Sequence, residues 1–240
     1  LAERRNVLTE MESKTLLAAF HIPVTKTLLA RSSNEAMMIA TQLGFPVALK
    51  IDSPDIAHKS DVGGVALSVP NGAAARDAYT DMVQRVARLR PEARINGVTV
   101  QKMARARRGR EICIGLVCDD PFGPVITFGA GGTMIELIDD RAMELPPLNQ
   151  FLARRLMERA RVAETLGEWR GASAVDMQAL EQVLLRVSEM VCALPQLREM
   201  DINPLIVDEQ GAVAVDARIA IHETARGSGR AEGVGLGHYG

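Results

Sequence analysis

Aromatic residues are the conspicuous shortage of this sequence: Phe, Trp and Tyr together make up 3% of its 240 residues. A platform that stacks the bases of a single strand needs several aromatic faces, so binding to nucleic acid by stacking is not expected. The core must instead be built from Leu, Val, Ile, Ala and Met. An excess of one charge is absent too. The 28 Lys and Arg are set against 30 Asp and Glu, giving a formal net charge of −2, so no basic surface argues for a phosphate backbone and no polybasic run argues for a membrane. No apolar run approaches the roughly 20 residues of a membrane span, and the start carries no signal-peptide pattern. Cysteine is sparse: Cys113, Cys118 and Cys192 are odd in number and lack metal-ligand spacing. Cys113 and Cys118 share the apolar run "EICIGLVC" and read as buried thiols of a cytoplasmic protein. The chain opens on Leu1 and ends in the Gly-rich "TARGSGRAEGVGLGHYG", so a piece of a longer protein is expected, with 221–240 a linker or tail.

What is present reads as mixed α/β with two lobes. Thr9 and Glu12 in "TEMESKTLLAAF" have capping-box spacing and predict a helix. Ser32 and Glu35 open a second helix that Gly44 can close. "FPVALKI" predicts a strand with "GVALSV" as its partner, and 72–90 a third helix. After "INGVTVQKM" the texture changes to Val- and Ile-rich runs, "REICIGLVCD" and "GPVITFGAGG", then helices at about 150–164 and 176–193. "INPLIVDEQGAVAVDARI" is two alternating runs around a turn, a hairpin signal. The expected division is an N-terminal lobe at 1–97, a second lobe at 98–220 and the tail, with a hinge near 98–104.

Several residues carry possible chemistry. Lys50 lies on the opposite pleat face from Val47, Leu49 and Ile51; it is either an edge charge in water or a cation aimed into a cleft. Lys59 and the Gly63-Gly64 pair favour the cleft, because glycines let backbone N–H groups approach an anion. "FGAGGTMIEL" is a second Gly-rich turn, without the features of a Walker A loop or a full dinucleotide fingerprint. Asn203 and Asp216 are brought together by the fold-back of the hairpin. An amide oxygen and a carboxylate suit Mg²⁺, which keeps waters and phosphate oxygens; the plainer alternative is a helix-to-strand turn at Asn203-Pro204 and an edge aspartate. His58, within "SPDIAHKSDVGGV", is either a phosphate-handling imidazole or part of a solvated charge cluster.

Taken together, "LTEMESKTLLAAFHIPV", "LGFPVALKIDSPDIAHKSDVGGV", "VTVQKM", "GREICIGLVCDDPFGPVITFGAGGTMIEL", "LPPLN" and "EMDINPLIV" with "AVDARI" resemble the ATP-grasp domain of the ADP-forming acyl-CoA synthetases. The resemblance runs in order from about residue 8 to about 220. It implies an ATP-grasp fold that binds ATP or ADP with Mg²⁺. It implies that Lys50 meets the nucleotide phosphates, that Gln101, Lys102 and Met103 form the interlobe segment beside adenine, and that Glu111 faces the nucleotide. Asn203 and Asp216 become the magnesium ligands. His58 becomes the histidine of a swinging loop that carries phosphate between a partner domain and ADP. The CoA-binding region and the first phosphorylated histidine then belong to other domains of the same protein or to a partner subunit. The stretch from "ELPPLNQFLARRLMERARVAETLGEWRG" and the tail also resemble fusions with a GNAT-type acetyltransferase, in some of which the synthetase part is regulatory. The second expectation is accordingly a nucleotide- or acyl-CoA-sensing module without turnover.

Overall fold

Thr9 starts the first helix by a reciprocal cap. In the computed structural model of the chain, which describes residues 6–56, 58–103, 109–132, 140–168, 171 and 173–222, the Thr9 hydroxyl accepts the Glu12 N–H at 3.3 Å and the Glu12 carboxylate accepts the Thr9 N–H at 2.7 Å. Both donors are thereby satisfied at the end where a helix has no partners of its own for them. The resulting helix, α1, spans Glu10–Ala19. The parts of "FGAGGTMIEL" beyond Gly132, of the hinge beyond Met103 and of the tail beyond His222 lie outside the described residues.

The first sheet is assembled from β1 (Thr27–Ala30), β2 (Val47–Asp52), β3 (Val65–Val69) and β4 (Gly97–Lys102), in the order β1-β4-β2-β3 with every neighbour antiparallel. Two helices cover one face. α2 (Ser33–Leu43) begins where Ser32 accepts the Glu35 N–H and ends at Gly44; α3 (Gly72–Leu89) is capped by Asn71. Val47, Leu49, Ile51, Val98 and Val100 point to these helices and meet Ala36, Ala40 and Val86. Each such fully buried aliphatic side chain contributes about 1.5–3 kcal/mol of transfer free energy.

The second sheet contains β5 (Arg110–Asp119), β6 (Gly123–Ala130), β7 (Ala142–Glu144), β8 (Leu197–Asp208), β9 (Gly211–Ala214) and β10 (Ala217–Ile221). Its order is β10-β8-β5-β6-β7, with β9 also paired to β8. Helices α4 (Gln150–Arg159), the short α5 (Ala163–Leu166) and α6 (Met177–Ala193) accompany it. Ile112, Ile114, Leu116 and Phe128 join Leu180, Leu184 and Val187 in the larger of the two cores.

The two cores divide the chain differently from 1–97 and 98–220. β4 is an inner strand of the first sheet, between β1 and β2. Leu17 and Ile22 belong to the second core, and Val7 bridges to Ala220 of β10. The physical reason is simple: an amphipathic stripe fixes which face of α1 is buried, not which core covers it. Asn203 lies inside β8, not in a helix-to-strand turn. Of the thiols expected to be buried, Cys113 is, whereas Cys118 is half-buried.

Candidate functional site

All six residues of β2 are buried, which decides between the two readings of Lys50. The odd residues face the helices of the first core. The even face of β2, which carries Lys50, shares its side of the sheet with Thr99 and Gln101 of β4, and Thr99 is the register partner of Lys50. Alternation along a strand requires this division. Lys50 is therefore a cation aimed into a cleft. Its Nζ donates to Glu10 Oε1 at 3.0 Å and to Asp216 Oδ2 at 2.8 Å. Burial works against the charge of Lys50, but Asp216 and Glu10 outweigh it and hold its pKa above the ordinary lysine value.

Glu10 is the centre of this arrangement, and its side chain is 1% exposed. Three lysines converge on it: Lys14 at 2.9 Å and Lys50 at 3.0 Å on Oε1, and Lys59 at 2.7 Å on Oε2. Burial opposes its ionisation, but the three ammonium groups prevail and hold the carboxyl well below the carboxylate range. Lys14 in turn donates to Thr25, Thr27 and Gln101. Its pKa is lowered, chiefly by burial. Sequence reasoning missed Glu10 and Lys14. An acidic residue in the first helical turn with a lysine four positions on is also the signature of an ordinary surface helix, so the only available signal was ambiguous.

The second sheet supplies the oxygens. Asn203 of β8 and Asp216, between β9 and β10, are linked by the Asn203 N–H to the Asp216 carbonyl at 3.2 Å. Asp216 is 38% exposed at its side chain; its Oδ1 accepts the Ala217 N–H at 2.8 Å while Oδ2 holds Lys50. Asn203 Oδ1 accepts the N–H of Gly132 at 2.7 Å. Gly132 has φ +80° and is approached by the Glu111 carboxylate, so glycine is favoured in the backbone conformation that aims this N–H at Asn203. Nearby, Asp201 Oδ1 accepts from the Cys113 thiol at 3.2 Å. Burial raises the pKa of Asp201, and burial together with the Asp201 charge pushes the Cys113 thiol up to about 12. Among the described residues no group of three or more His, Cys, Asp or Glu has a metal-binding arrangement. Mg²⁺ does not require one: two hard oxygen donors, one of them partly in water, fit an ion that completes its shell with phosphate oxygens and waters.

Lys50, His58, Asn203 and Asp216 line one cleft of about 590 Å³, together with Glu10 and Lys59. His58 is exposed within the β2–β3 loop. The loop closes in a 3₁₀ turn, Ser60–Val62, ended by Gly63 at φ +64°. The other expected residues fall elsewhere. Gln101 is buried, with its amide oxygen on Lys14. Lys102 is exposed, and Met103 is half-buried with its N–H on the Pro46 carbonyl at 3.2 Å. Glu111 is exposed on β5, beside Gly132. None of these four lines the cleft of Lys50.

Comparison with known proteins identifies the family. The family model described as an ATP-grasp domain matches residues 1–221. The chain is 35% identical over 214 residues to the β subunit of ADP-forming acetate–CoA ligase I of Pyrococcus furiosus, covering 89% of this chain and 91% of that one. It matches 30% of a longer ADP-forming acetate–CoA ligase of Archaeoglobus fulgidus, at 38% identity over 212 residues and 88% of this chain. Among solved structures, the dinucleotide-forming acetyl-coenzyme A synthetase 1 of Ca. Korarchaeum cryptofilum, in complex with coenzyme A and Ca-AMPCP, superposes with a TM-score of 0.87 at 37% identity, covering 92% of this chain and 96% of that one. A second structure of that enzyme, with coenzyme A and Mg-AMPPCP and its phosphohistidine segment pointing towards the nucleotide site, gives 0.79 at 34% identity, with coverage of 91% and 94%. The chain therefore belongs to the ATP-grasp family, in the group formed by the ATP-grasp domains of ADP-forming acetate–CoA ligases.

Proposed function

We propose that the cleft between the two sheets binds Mg-ATP or Mg-ADP and that His58 carries a phosphoryl group between this nucleotide and a partner domain, as the nucleotide-side half of an ADP-forming acyl-CoA synthetase. The observation that carries the reading is the meeting of Lys50 and His58 with Asn203 and Asp216 along one cleft, from two stretches about 150 positions apart in the sequence. The phosphohistidine segment of the Korarchaeum enzyme, directed at its nucleotide site, supports the same role for the loop of His58.

The chemistry follows from the side chains. Lys50 offsets charge on the nucleotide phosphates. Asp216 and Asn203 would hold Mg²⁺. The ion, when bound, neutralises the charge that develops on the transferring phosphoryl oxygens. With phosphates and metal in place, Lys50 and Asp216 exchange each other for those ligands, so their ion pair holds the site ready without a bound nucleotide. The lone pair of one imidazole nitrogen of His58 attacks the γ-phosphorus, the bond from that phosphorus to the β,γ-bridging oxygen breaks, and ADP leaves; the other ring nitrogen keeps its proton. The reverse step returns phosphate from His58 to ADP. We assign Gln101, Lys102 and Met103 to the adenine side and Glu111 to the nucleotide-facing wall. Gln101 acts there through Lys14, its hydrogen-bond partner.

The acyl and CoA steps fall to other domains of the same protein or to a partner subunit in this reading, and the expected location is the cytoplasm. Attachment to an acetyltransferase rests on sequence likeness of 144–171 and the tail alone. Calorimetric titration tests the metal assignment. Asp216→Ala is expected to abolish the Mg²⁺-dependent part of nucleotide binding and to change stability by less than about 1 kcal/mol, since its partner Lys50 keeps Glu10. Normal Mg-nucleotide affinity in Asp216→Ala would remove Asp216 from the metal site.

A further inference from the structure

The mechanism leaves Lys59 unused, although it is the immediate neighbour of His58 and one of three lysines on a buried carboxylate. The other two stand on regular elements, Lys14 on α1 and Lys50 on β2. Lys59 stands on the β2–β3 loop, and its Nζ reaches Glu10 Oε2 at 2.7 Å while the other oxygen of Glu10 serves Lys14 and Lys50. Elsewhere the loop is tied to its own lobe. Ile56 and Val62 are buried in the first core, Asp55 accepts the Arg94 N–H at 2.8 Å, and the Gly64 N–H closes on the Lys59 carbonyl at 2.7 Å. Glu10 belongs to α1, whose Leu17 sits in the second core. The Lys59–Glu10 pair thus connects the loop of His58 to the opposite side of the cleft.

We propose that Lys59 is a positioning residue: its ion pair with Glu10 is a latch that holds the His58 loop docked over the nucleotide. The proposal rests on the shuttle reading above. Its physical basis is the burial of Glu10. When the loop departs, Oε2 gives up its partner at a site with 1% exposure, and a buried carboxylate stripped of a charged hydrogen bond is costly to leave. The docked loop is favoured for that reason, and His58 is presented from a fixed place. A phosphoryl group arriving beside His58 brings negative charge within reach of the same ammonium group and competes with Glu10 for it, which loosens the latch after transfer.

The test separates the two half-reactions in the full-length protein with its partner domains. Phosphorylation of His58 is followed in single turnover, from saturating Mg-[γ-³²P]ATP on one side and from acetyl-CoA with [³²P]phosphate on the other. Lys59→Met is expected to slow labelling from Mg-ATP by roughly 10²-fold, the scale of misplacing a reacting group, while labelling from the acetyl-CoA side changes by less than about threefold, being independent of docking at the nucleotide. Lys59→Arg keeps the charge and is expected to restore most of the rate. Equal labelling of Lys59→Met and wild type from Mg-ATP overturns the latch and leaves the shuttle intact. An effect confined to the Mg-ATP concentration dependence, with an unchanged rate at saturation, also overturns it, because Lys59 is then a phosphate contact only. Equal slowing of both half-reactions overturns it as a general defect of the loop. Absence of label from Mg-ATP on the wild-type protein removes the shuttle reading itself, and the latch with it.

Discussion

Around the Lys50–Asp216 contact the two sides of the cleft carry opposite equipment, while the wider lining mixes signs, with Asp55 and Asp61 on the first side and Arg218 on the second. The first brings cations: Lys50 from β2 and Lys59 from the loop that follows it. The second brings oxygens: Asp201 and Asn203 from β8 and Asp216 from the break before β10. Contact between the sides is made by Lys50 with Asp216 at 2.8 Å and by Lys50 and Lys59 with Glu10. Separating the charges in this way suits a ligand that is itself both anion and cation. Phosphates can take Lys50 and a metal Asp216, each losing only the partner it held in the other, while Lys59 stays on Glu10. The difference in burial carries the second lesson. Glu10 is sealed and serves structure and positioning, whereas Asp216 is 38% exposed and open to exchange.

The most severe way to break this division is to remove its buried centre. Glu10→Gln leaves Lys14 in the interior without a carboxylate and Lys50 with Asp216 alone, and is expected to cost about 3–5 kcal/mol in urea unfolding. The same group has a pH signature. Its folded pKa lies below the ordinary value of 4.5, so its contribution to stability is complete above that value and is lost as pH falls towards the folded pKa. Wild type is expected to show this acid loss, and Glu10→Gln to lack that portion of it. Equal acid sensitivity in the two proteins would contradict the role given to Glu10.

A smaller effect is expected at the exchangeable contact. Lys50→Met should weaken Mg-nucleotide binding by about 10- to 100-fold, the range for one charged hydrogen bond. It should cost less stability than Glu10→Gln, because Glu10 keeps Lys14 and Lys59 while the freed Asp216 is partly in water. Isothermal titration and urea unfolding of the same preparation check both halves. The smallest effect belongs to an exposed ion pair at the rim of the cleft. Arg94 and Asp55 approach at 3.2 Å with side chains 58% and 37% exposed, and Arg94→Ala is expected to change stability by about 0–1 kcal/mol. A cost there equal to that of Glu10→Gln would erase the distinction between sealed and open charge.

Much of this was legible in the sequence where the signal is local. The caps at Thr9 and Ser32, the end of α2 at Gly44 and the turn "DEQG" between β8 and β9 are each written in a few adjacent residues. The juxtaposition of Asn203 and Asp216 followed from fold-back of that hairpin. Long-range packing was not legible. Pleat alternation gave the face of Lys50 but not what covers that face, and the Val-rich run of β4 could not name its sheet. Glu10 reads as a helix-dipole residue until Lys50 and Lys59 are brought to it from 40 and 49 positions away. The use of the glycines in "FGAGG" was not legible either. Two of them meet backbone, Gly129 against Asp140 and Gly131 against Ile112.

The central claim is that His58 accepts phosphate from the nucleotide held between the sheets. The protein is incubated with Mg-[γ-³²P]ATP, and the labelled residue is mapped by peptide mass spectrometry under alkaline conditions, where phosphohistidine survives. The account predicts an acid-labile phosphate on His58, absent in His58→Ala although that variant still binds Mg-ADP. An undiminished label in His58→Ala, or a label mapped to another residue, would contradict it.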